Sequence, residues 1–339
     1  MLTSLRAATY KPLSANTSFF AIMNDGHCKI QDEHERVLEV SCSAENDKLT
    51  IIILKNENLE NDNLLLVAIE YILGHNSEIQ SVEIQNHNPL RRIDNILQKY
   101  FSTDSTTINF QRLEFFQLRA LWHKDRDYIP AIEKWVTTSE RLHPVRPDIQ
   151  KGTLYSRYVP TIEKTISFRM IDAQSDLDTF HDWHNQPRVA NFWELAQPKA
   201  ELQQYIEKSL RDPHTLPMIA EADGVPVGYF EMYWTREDRL APYYESESFD
   251  RGFHFLIGNR EFLGFKNTDA MLKALAHFLF IDEIRTRKLM AEPRSDNAKV
   301  LKYIETLTAW KKLYEFDFPH KRAALLECKR EAFFMENNL

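Results

Sequence analysis

The chain has 339 residues, 43% of them hydrophobic and 27% charged, with a formal net charge of -8 and the two signs interspersed. That length exceeds what one hydrophobic core usually supports, so two domains are expected. The acidic balance offers no overall field for phosphate backbones or anionic lipid, which argues against nucleic acid or a membrane surface as partner.

Cys28, Cys42 and Cys328 form no CxxC pair and read as reduced, buried thiols. The opening MLTSLRAATYKPLS lacks the apolar core of a secretory signal. The most apolar helical run, DNLLLVAIEYILGH, is too short for a bilayer and carries Glu70, so a cytoplasmic location is expected.

In chain order, TSFFAIM, HCKIQ, VLEVSCS and KLTIIILK alternate between Asn, Asp and Gly clusters and predict an antiparallel meander. A helix is predicted near Asn61–Leu73, where Leu64, Leu65, Ala68, Ile69 and Ile72 share a face. The strand SVEIQ follows, then a helix near Pro89–Tyr100 opened by its proline, the strand-like NFQRLEFFQL and a helix near Ile129–Leu142. Between Leu142 and Lys164 lie three prolines, one glycine and no apolar period, as expected of a segment joining two domains.

Beyond it, TISFRMI is a predicted strand and Ala173–Asn185 and Pro198–Leu210 are predicted helices. Leu216–Ala220 and Val225–Trp234 are strands joined by the hairpin turn ADGV. Gly252–Ile257 is a strand, Thr268–Phe280 a helix, Lys288–Glu292 a strand and Asn297–Leu307 a helix, before a hairpin of Trp310–Phe316 with Ala323–Cys328. The second half therefore reads βααβββαβαββ, and the first half is a worn βββαβαβ version of that order.

Two features carry chemistry. Alternation places Phe253, Phe255 and Ile257 on one face of their strand and His254 with Leu256 on the other. His254 is either a hydrogen-bonded core histidine or a general base, and Glu292, ending a neighbouring strand, is a carboxylate able to orient it. The turn Phe262–Thr268 contains Gly264, Lys266 and a capping Thr268. It is either an ordinary strand-to-helix turn or a phosphate cradle at a helix N-terminus. No HExxH or Gly-x-Ser-x-Gly pattern occurs, so neither a metal nor a covalent intermediate is expected.

The motifs HPVRP, RYVP, SFRM, DWHNQPRVANFWE, DPHTLPMIA, GYFEMYWTREDRLAPYY, DRGFHFLIG and AEPRSDN run in one order from Leu142 to Phe334. That series resembles the siderophore-biosynthesis branch of the GCN5-related N-acetyltransferases (GNAT), which acylate N-hydroxylated amines to hydroxamates. The resemblance implies an α/β GNAT fold whose mixed central sheet splays open at the strand of His254. It implies a catalytic domain over 165–339, a linker over 142–164 and a degenerate GNAT-like α+β domain over 1–141.

The donor is then acetyl-CoA, with no metal. His254 and Glu292 are the implied catalytic pair. Backbone at Phe255, Leu256 and Ile257 polarises the thioester, and Gly264, Phe265, Lys266, Asn267 and Thr268 cradle the pyrophosphate, although relatives often have a second glycine where Lys266 or Asn267 stands. Asn297 matches a coenzyme contact.

For the acceptor, an N-hydroxylated amine, the match points to His184, Asn185, Arg188 and Trp193, with Trp183 more a core anchor. Tyr229, Glu231 and Tyr233 share one strand face, Phe230, Met232 and Trp234 the other. Glu231 or Asp238 could hold a far ammonium, with Tyr233 and Trp234 beside it, or Asp238 is a solvated loop charge. A carboxylate on the acceptor would call on Arg236, Arg239 or Arg251. N-hydroxylysine, N-hydroxyputrescine and N-hydroxycadaverine all stay open. The first half is expected to supply packing, a lid or a homodimer contact and to bind no coenzyme. Competing readings are acetylation of an ordinary amine and a non-catalytic coenzyme-binding module.

Overall fold

A computed structural model describes all residues except 1, 3, 16, 57–62, 86–94, 102–106, 125–131, 139 and 338. The chain divides into two compact units, Met1–Asp125 with Ser156–Thr165 and Asn338–Leu339, and Arg126–Tyr155 with Ile166–Asn337.

In the first unit β1 (Leu5–Tyr10), β2 (Phe19–Asn24), β3 (His27–Asp32), β4 (Val37–Glu45) and β5 (Lys48–Asn56) pair antiparallel in chain order. Asp25 and Gly26 both have positive φ, 46° and 78°, the conformation that a two-residue hairpin between β2 and β3 requires. Helix α1 (Asn63–His75) leads to β6 (Ser81–Gln85), parallel to β5. After α2 (Asn95–Tyr100), β7 (Thr107–Gln111) pairs antiparallel with β6 and leads into α3 (Arg112–Phe115). The expected helices near Asn61 and Pro89 begin outside the described residues. Strand β1 was not expected, because LRAATY lacks alternation and is partly exposed.

The second unit opens with a hairpin of β8 (Trp135–Thr138) and β9 (Arg141–Pro144). This corrects the helix expected over Ile129–Leu142, part of which lies outside the described residues. Val136, Thr137 and Thr138 are β-branched, and Glu140 turns the chain at φ 66°.

The main sheet has eight strands in the order β10 (Thr153–Val159), β11 (Lys164–Met170), β12 (Thr215–Ala222), β13 (Val225–Trp234), β14 (Arg251–Ile257), β15 (Lys288–Ala291), β17 (Arg322–Lys329), β16 (Trp310–Asp317). The division between the units falls within β10, after Tyr155. The helices are α4 (Leu177–Asn185), α5 (Pro187–Trp193), α6 (Lys199–Arg211), α7 (Phe265–Asp282), α8 (Ala298–Ile304) and α9 (Arg330–Glu336). Helix α5, also not expected, starts on Pro187 and stops where Glu194 turns left-handed at φ 54°.

The alternation of β13 and β14 divides the packing. On one face Tyr229 and Leu256 join Phe180, Trp183, Val189, Leu202 and Ile206 of α4, α5 and α6. On the other, Phe255 stacks on Phe230, and Phe168 lies between Phe230 and Phe278 of α7. Each such buried ring stabilises the fold by about 1.5–3 kcal/mol.

The feature that positions the site is a gap. Strand β14 pairs with β13 along its whole length but with β15 only at Arg251↔Leu289 and Gly252↔Met290. From Phe253 onward the two parallel strands part. Thr235 N donates to Asp250 O at 3.1 Å at one end of the β13–β14 ladder, and Gly258 N to Val227 O at 2.9 Å at the other. The even-numbered residues of β14 therefore bond to β13. The amides of Phe253, Phe255 and Ile257 face the open edge.

Candidate active site

His254 projects from β14 onto the face it shares with Leu256, opposite Glu231 in the ladder. Its Nε2 lies 2.8 Å from Glu292 Oε1, and its Nδ1 lies 3.4 Å from Glu231 Oε2. Glu292, just past the end of β15, is 2% exposed, whereas the His254 side chain keeps 28% of its surface open. The imidazole is thus held between two acids and still reaches solvent.

The remaining bonds of the two carboxylates differ. Glu292 Oε2 accepts from Tyr233 Oη at 2.7 Å, so both its oxygens are engaged. Glu231 Oε1 accepts from the hydroxyls of Tyr205 and Tyr229, leaving Oε2 with only the long contact to His254. Burial opposes charge on His254, but Glu292 and Glu231 win and raise its pKa to about 10. Burial would raise Glu292, but the imidazolium lowers it to about 2, and Glu231 is held low in the same way. The resting site is a cation between two anions.

Gly252 makes room for this arrangement. A Cβ on it would sit 2.3 Å from the Tyr233 ring, which packs flat over the glycine and so delivers its hydroxyl to Glu292. Asp238 lies near the array. Burial and the charge of Glu292 raise its pKa, while its Oδ1 accepts from Leu240 N at 2.8 Å.

Of the eight expected acceptor residues, the structure gathers Trp193, Glu231, Tyr233 and Asp238 around His254 and places His184, Asn185, Arg188 and Trp234 elsewhere. Trp193 stands with its ring 6.3 Å from His254. His184 is fully buried one ring further back, bonded to Phe180 O and packed on Trp193 and Tyr229, and burial lowers its pKa. Arg188 donates to Gly258 O at 2.8 Å and pins the end of β14. Asn185 donates to His181 O and Gln197 O on an exposed surface. Trp234 lies on the opposite face of β13, between the Arg146 and Arg251 guanidinium groups, and does not meet His254.

Among the expected donor residues, Phe255 and Ile257 present open-edge amides, whereas Leu256 has its amide in the β13 ladder and its side chain in the core. Helix α7 begins at Phe265, three residues earlier than expected, with Gly264 as its N-cap at φ 125°. Thr268 is therefore inside the first turn, and its hydroxyl donates back to Gly264 O at 2.9 Å instead of capping. The amides of Phe265, Lys266 and Asn267 open the helix without partners of their own in it. Asn297 caps α8, accepting from Val300 N at 3.2 Å.

Sequence reasoning missed Tyr205, whose place on α6 gives no sign that its hydroxyl reaches Glu231, and Lys321, which donates to Glu292 O at 2.8 Å. His143, His214 and Glu237 also cluster, but Arg146 already grips the Glu237 carboxylate through two nitrogens, so the cluster is an ion-paired brace.

A family model described as an acetyltransferase (GNAT) domain matches residues 172–318. A putative lysine N-acyltransferase of Schizosaccharomyces pombe is 36% identical over 231 residues, 67% of this chain and 67% of the relative. An N(6)-hydroxylysine O-acetyltransferase of Escherichia coli is 37% identical over 196 residues, 58% of this chain and 62% of the relative. An N(5)-hydroxyornithine:cis-anhydromevalonyl coenzyme A-N(5)-transacylase of Beauveria bassiana is 38% identical over 200 residues, 58% of this chain and 44% of the relative. The chain spans less than two thirds of the last two.

Proposed function

This chain belongs to the GNAT acyltransferases, and on that premise we propose that it acetylates the hydroxylamino nitrogen of an N-hydroxylated amine, forming a hydroxamate for siderophore synthesis, with acetyl-CoA as donor. The observation that carries the reading is His254 held between Glu231 and Glu292 beside the unpaired edge of β14. The relatives named for hydroxylysine and hydroxyornithine support the acceptor class. Among the described residues no helix is long and apolar enough to cross a membrane.

The chemistry suits that acceptor. A hydroxylamine is less basic than an alkyl amine and arrives largely unprotonated, so the site needs to position it, polarise the carbonyl and take one proton. The amides of Phe255 and Ile257 face the edge where a thioester carbonyl would lie, and they form the oxyanion donors. As nitrogen bonds to the carbonyl carbon, its proton leaves for the array. Collapse of the tetrahedral adduct then breaks the carbon–sulfur bond and releases the thiolate of coenzyme A. The resting His254 already holds its proton, so the free lone pair that receives this one is Glu231 Oε2, and the imidazolium stabilises the adduct. His254 then serves as the charged centre of the relay rather than as the first base.

An array already holding its proton is poorly placed to strip a second from an alkylammonium, which disfavours an ordinary amine as acceptor. The first amide N–H groups of α7, with Lys266, suit the pyrophosphate of the donor. We assign catalysis to the unit Arg126–Tyr155 with Ile166–Asn337 and to the first unit a supporting role without coenzyme; the expected linker 142–164 contains β10, a strand of the main sheet.

The test is release of free coenzyme A with an N-hydroxylated amine against its parent amine, followed by ferric complexation of the product. Faster turnover of the hydroxylated acceptor with a coloured ferric hydroxamate is expected; equal turnover of both refutes the acceptor. Acetylation at oxygen, which the name of the Escherichia coli relative suggests, would yield an ester and no hydroxamate colour.

A further inference from the structure

The turn between β16 and β17 brings positive charge to the array. Lys321 Nζ donates to the backbone oxygen of Glu292, the residue whose carboxylate holds His254. Phe318, 5% exposed, carries three basic side chains: Lys321 Nζ lies 5.5 Å from its ring centre, the Arg239 guanidinium 5.6 Å, and the His320 ring stacks at 5.3 Å. Among the described residues, no carboxylate lies in ion-pair reach of Arg239, Lys321 or His320.

The other arginines of the region are engaged. Arg236 donates to Leu142 O and Ser246, Arg251 is buried against Asp282, and Arg294 holds Asp296. Burial, then Arg239 and Arg294 against the pull of Glu292, lowers the Lys321 pKa, so the cations repel one another. Two cations, Arg239 and Lys321, gathered on one ring with no carboxylate in direct ion-pair contact, Glu292 and Asp238 acting on Lys321 only from further off, form a site open to an anionic ligand.

We propose that Arg239 and Lys321 bind the carboxylate of the acceptor while Asp238 takes its α-ammonium. The acceptor is then an N-hydroxylated diamino acid, not an N-hydroxylated diamine. The assignment rests on the hydroxylamine reading above and deepens it. Arg239 follows Asp238 directly in the loop after β13, so one turn presents an acid and a base to the two ends of a zwitterion. Arg141 steadies that turn by donating to the backbone oxygens of Glu237 and Asp238.

Four acceptors separate the claims: N6-hydroxylysine, N-hydroxycadaverine, lysine and cadaverine. Within each pair only the carboxylate differs; between pairs, only the hydroxyl. For the wild type, kcat/KM for N6-hydroxylysine should exceed that for N-hydroxycadaverine about 10- to 100-fold, the range of a lost charge-assisted contact. Arg239→Ala, a change at an exposed side chain, should erase most of that ratio by raising KM for the amino acid. It should leave N-hydroxycadaverine and the KM for acetyl-CoA unchanged.

Equal wild-type rates on both hydroxylated acceptors, or equal losses on both in Arg239→Ala, overturn the subsite. If the unhydroxylated pair reacts as fast as the hydroxylated one, the hydroxylamine reading fails, and the carboxylate ratio within each pair still decides the subsite. If none reacts, calorimetric titration of the coenzyme A-loaded protein with the same four compounds decides it. Amino acids binding no tighter than diamines overturn the proposal.

Discussion

Replacing Glu292 by Gln keeps the shape of the site and removes one charge. In the wild type, His254 is raised from 6.5 to about 10 against the opposing effect of burial. At about 1.4 kcal/mol per unit, the two acids supply roughly 5 kcal/mol of net preference for the charged ring. Glu292 holds the shorter bond, 2.8 Å against 3.4 Å, so it carries the larger share. With Gln there, burial should win and His254 should titrate near or below 6.5.

The sign follows. A raised histidine stabilises the fold fully below pH 6.5 and loses that contribution as pH climbs through about 10. The depressed Glu292 contributes above pH 4.5 and loses it as pH falls through about 2. The alkaline limb of kcat/KM, near pH 10 in the wild type, should move in Glu292→Gln to near pH 6.5, so that turnover at pH 8 falls steeply while turnover at pH 6 falls less. Coenzyme A release across pH 5.5–10 measures the profile, and nitrogen NMR of the labelled imidazole measures the titration itself. A wild-type His254 titrating near 6.5, or an alkaline limb that Glu292→Gln leaves in place, would refute the argument.

Four further outcomes are expected. His254→Ala should lower kcat about 100-fold or more while acetyl-CoA affinity, measured by calorimetry, stays within about threefold. Gly252→Ala must displace the Tyr233 ring from 2.3 Å; a destabilisation of about 1–3 kcal/mol by thermal melting and loss of the Tyr233–Glu292 bond should follow, and an unchanged melt would contradict that packing. Gly264→Ala forces an alanine into φ 125°, at about 1–3 kcal/mol, and should raise KM for acetyl-CoA without changing KM for the acceptor; equilibrium binding should meanwhile give one equivalent of acetyl-CoA per chain, and two would assign a coenzyme site to the N-terminal half.

What could be read from the residues was local. The alternation around His254 placed it opposite the Phe253–Phe255 face, and Asp223–Gly224, with φ 50° and 78°, turns the hairpin that ADGV predicts. The second acid on His254 is different in kind. Glu231 meets it only through the β13–β14 register, set across residues 235–250, which no periodicity reports. Lys321 reaches Glu292 because β17 inserts between β15 and β16, a topological choice that a hairpin pattern does not encode. The early start of α7 was hidden because Gly264 caps it by backbone conformation alone. The charge on His254 could not be foreseen for the same reason as Glu231: it depends on two partners distant in sequence.

The two register pairs that join β14 to β15 leave a long run of backbone donors on an inner sheet edge. An exposed edge of that kind invites adventitious strand pairing. On the donor placement proposed above, the extended pantetheine arm takes the position of an absent strand, so loading the thioester both arms the enzyme and seals its seam. Kinetics in which the acyl donor binds first follow from that geometry, as does a tendency of the unloaded protein to self-associate on storage that coenzyme A suppresses.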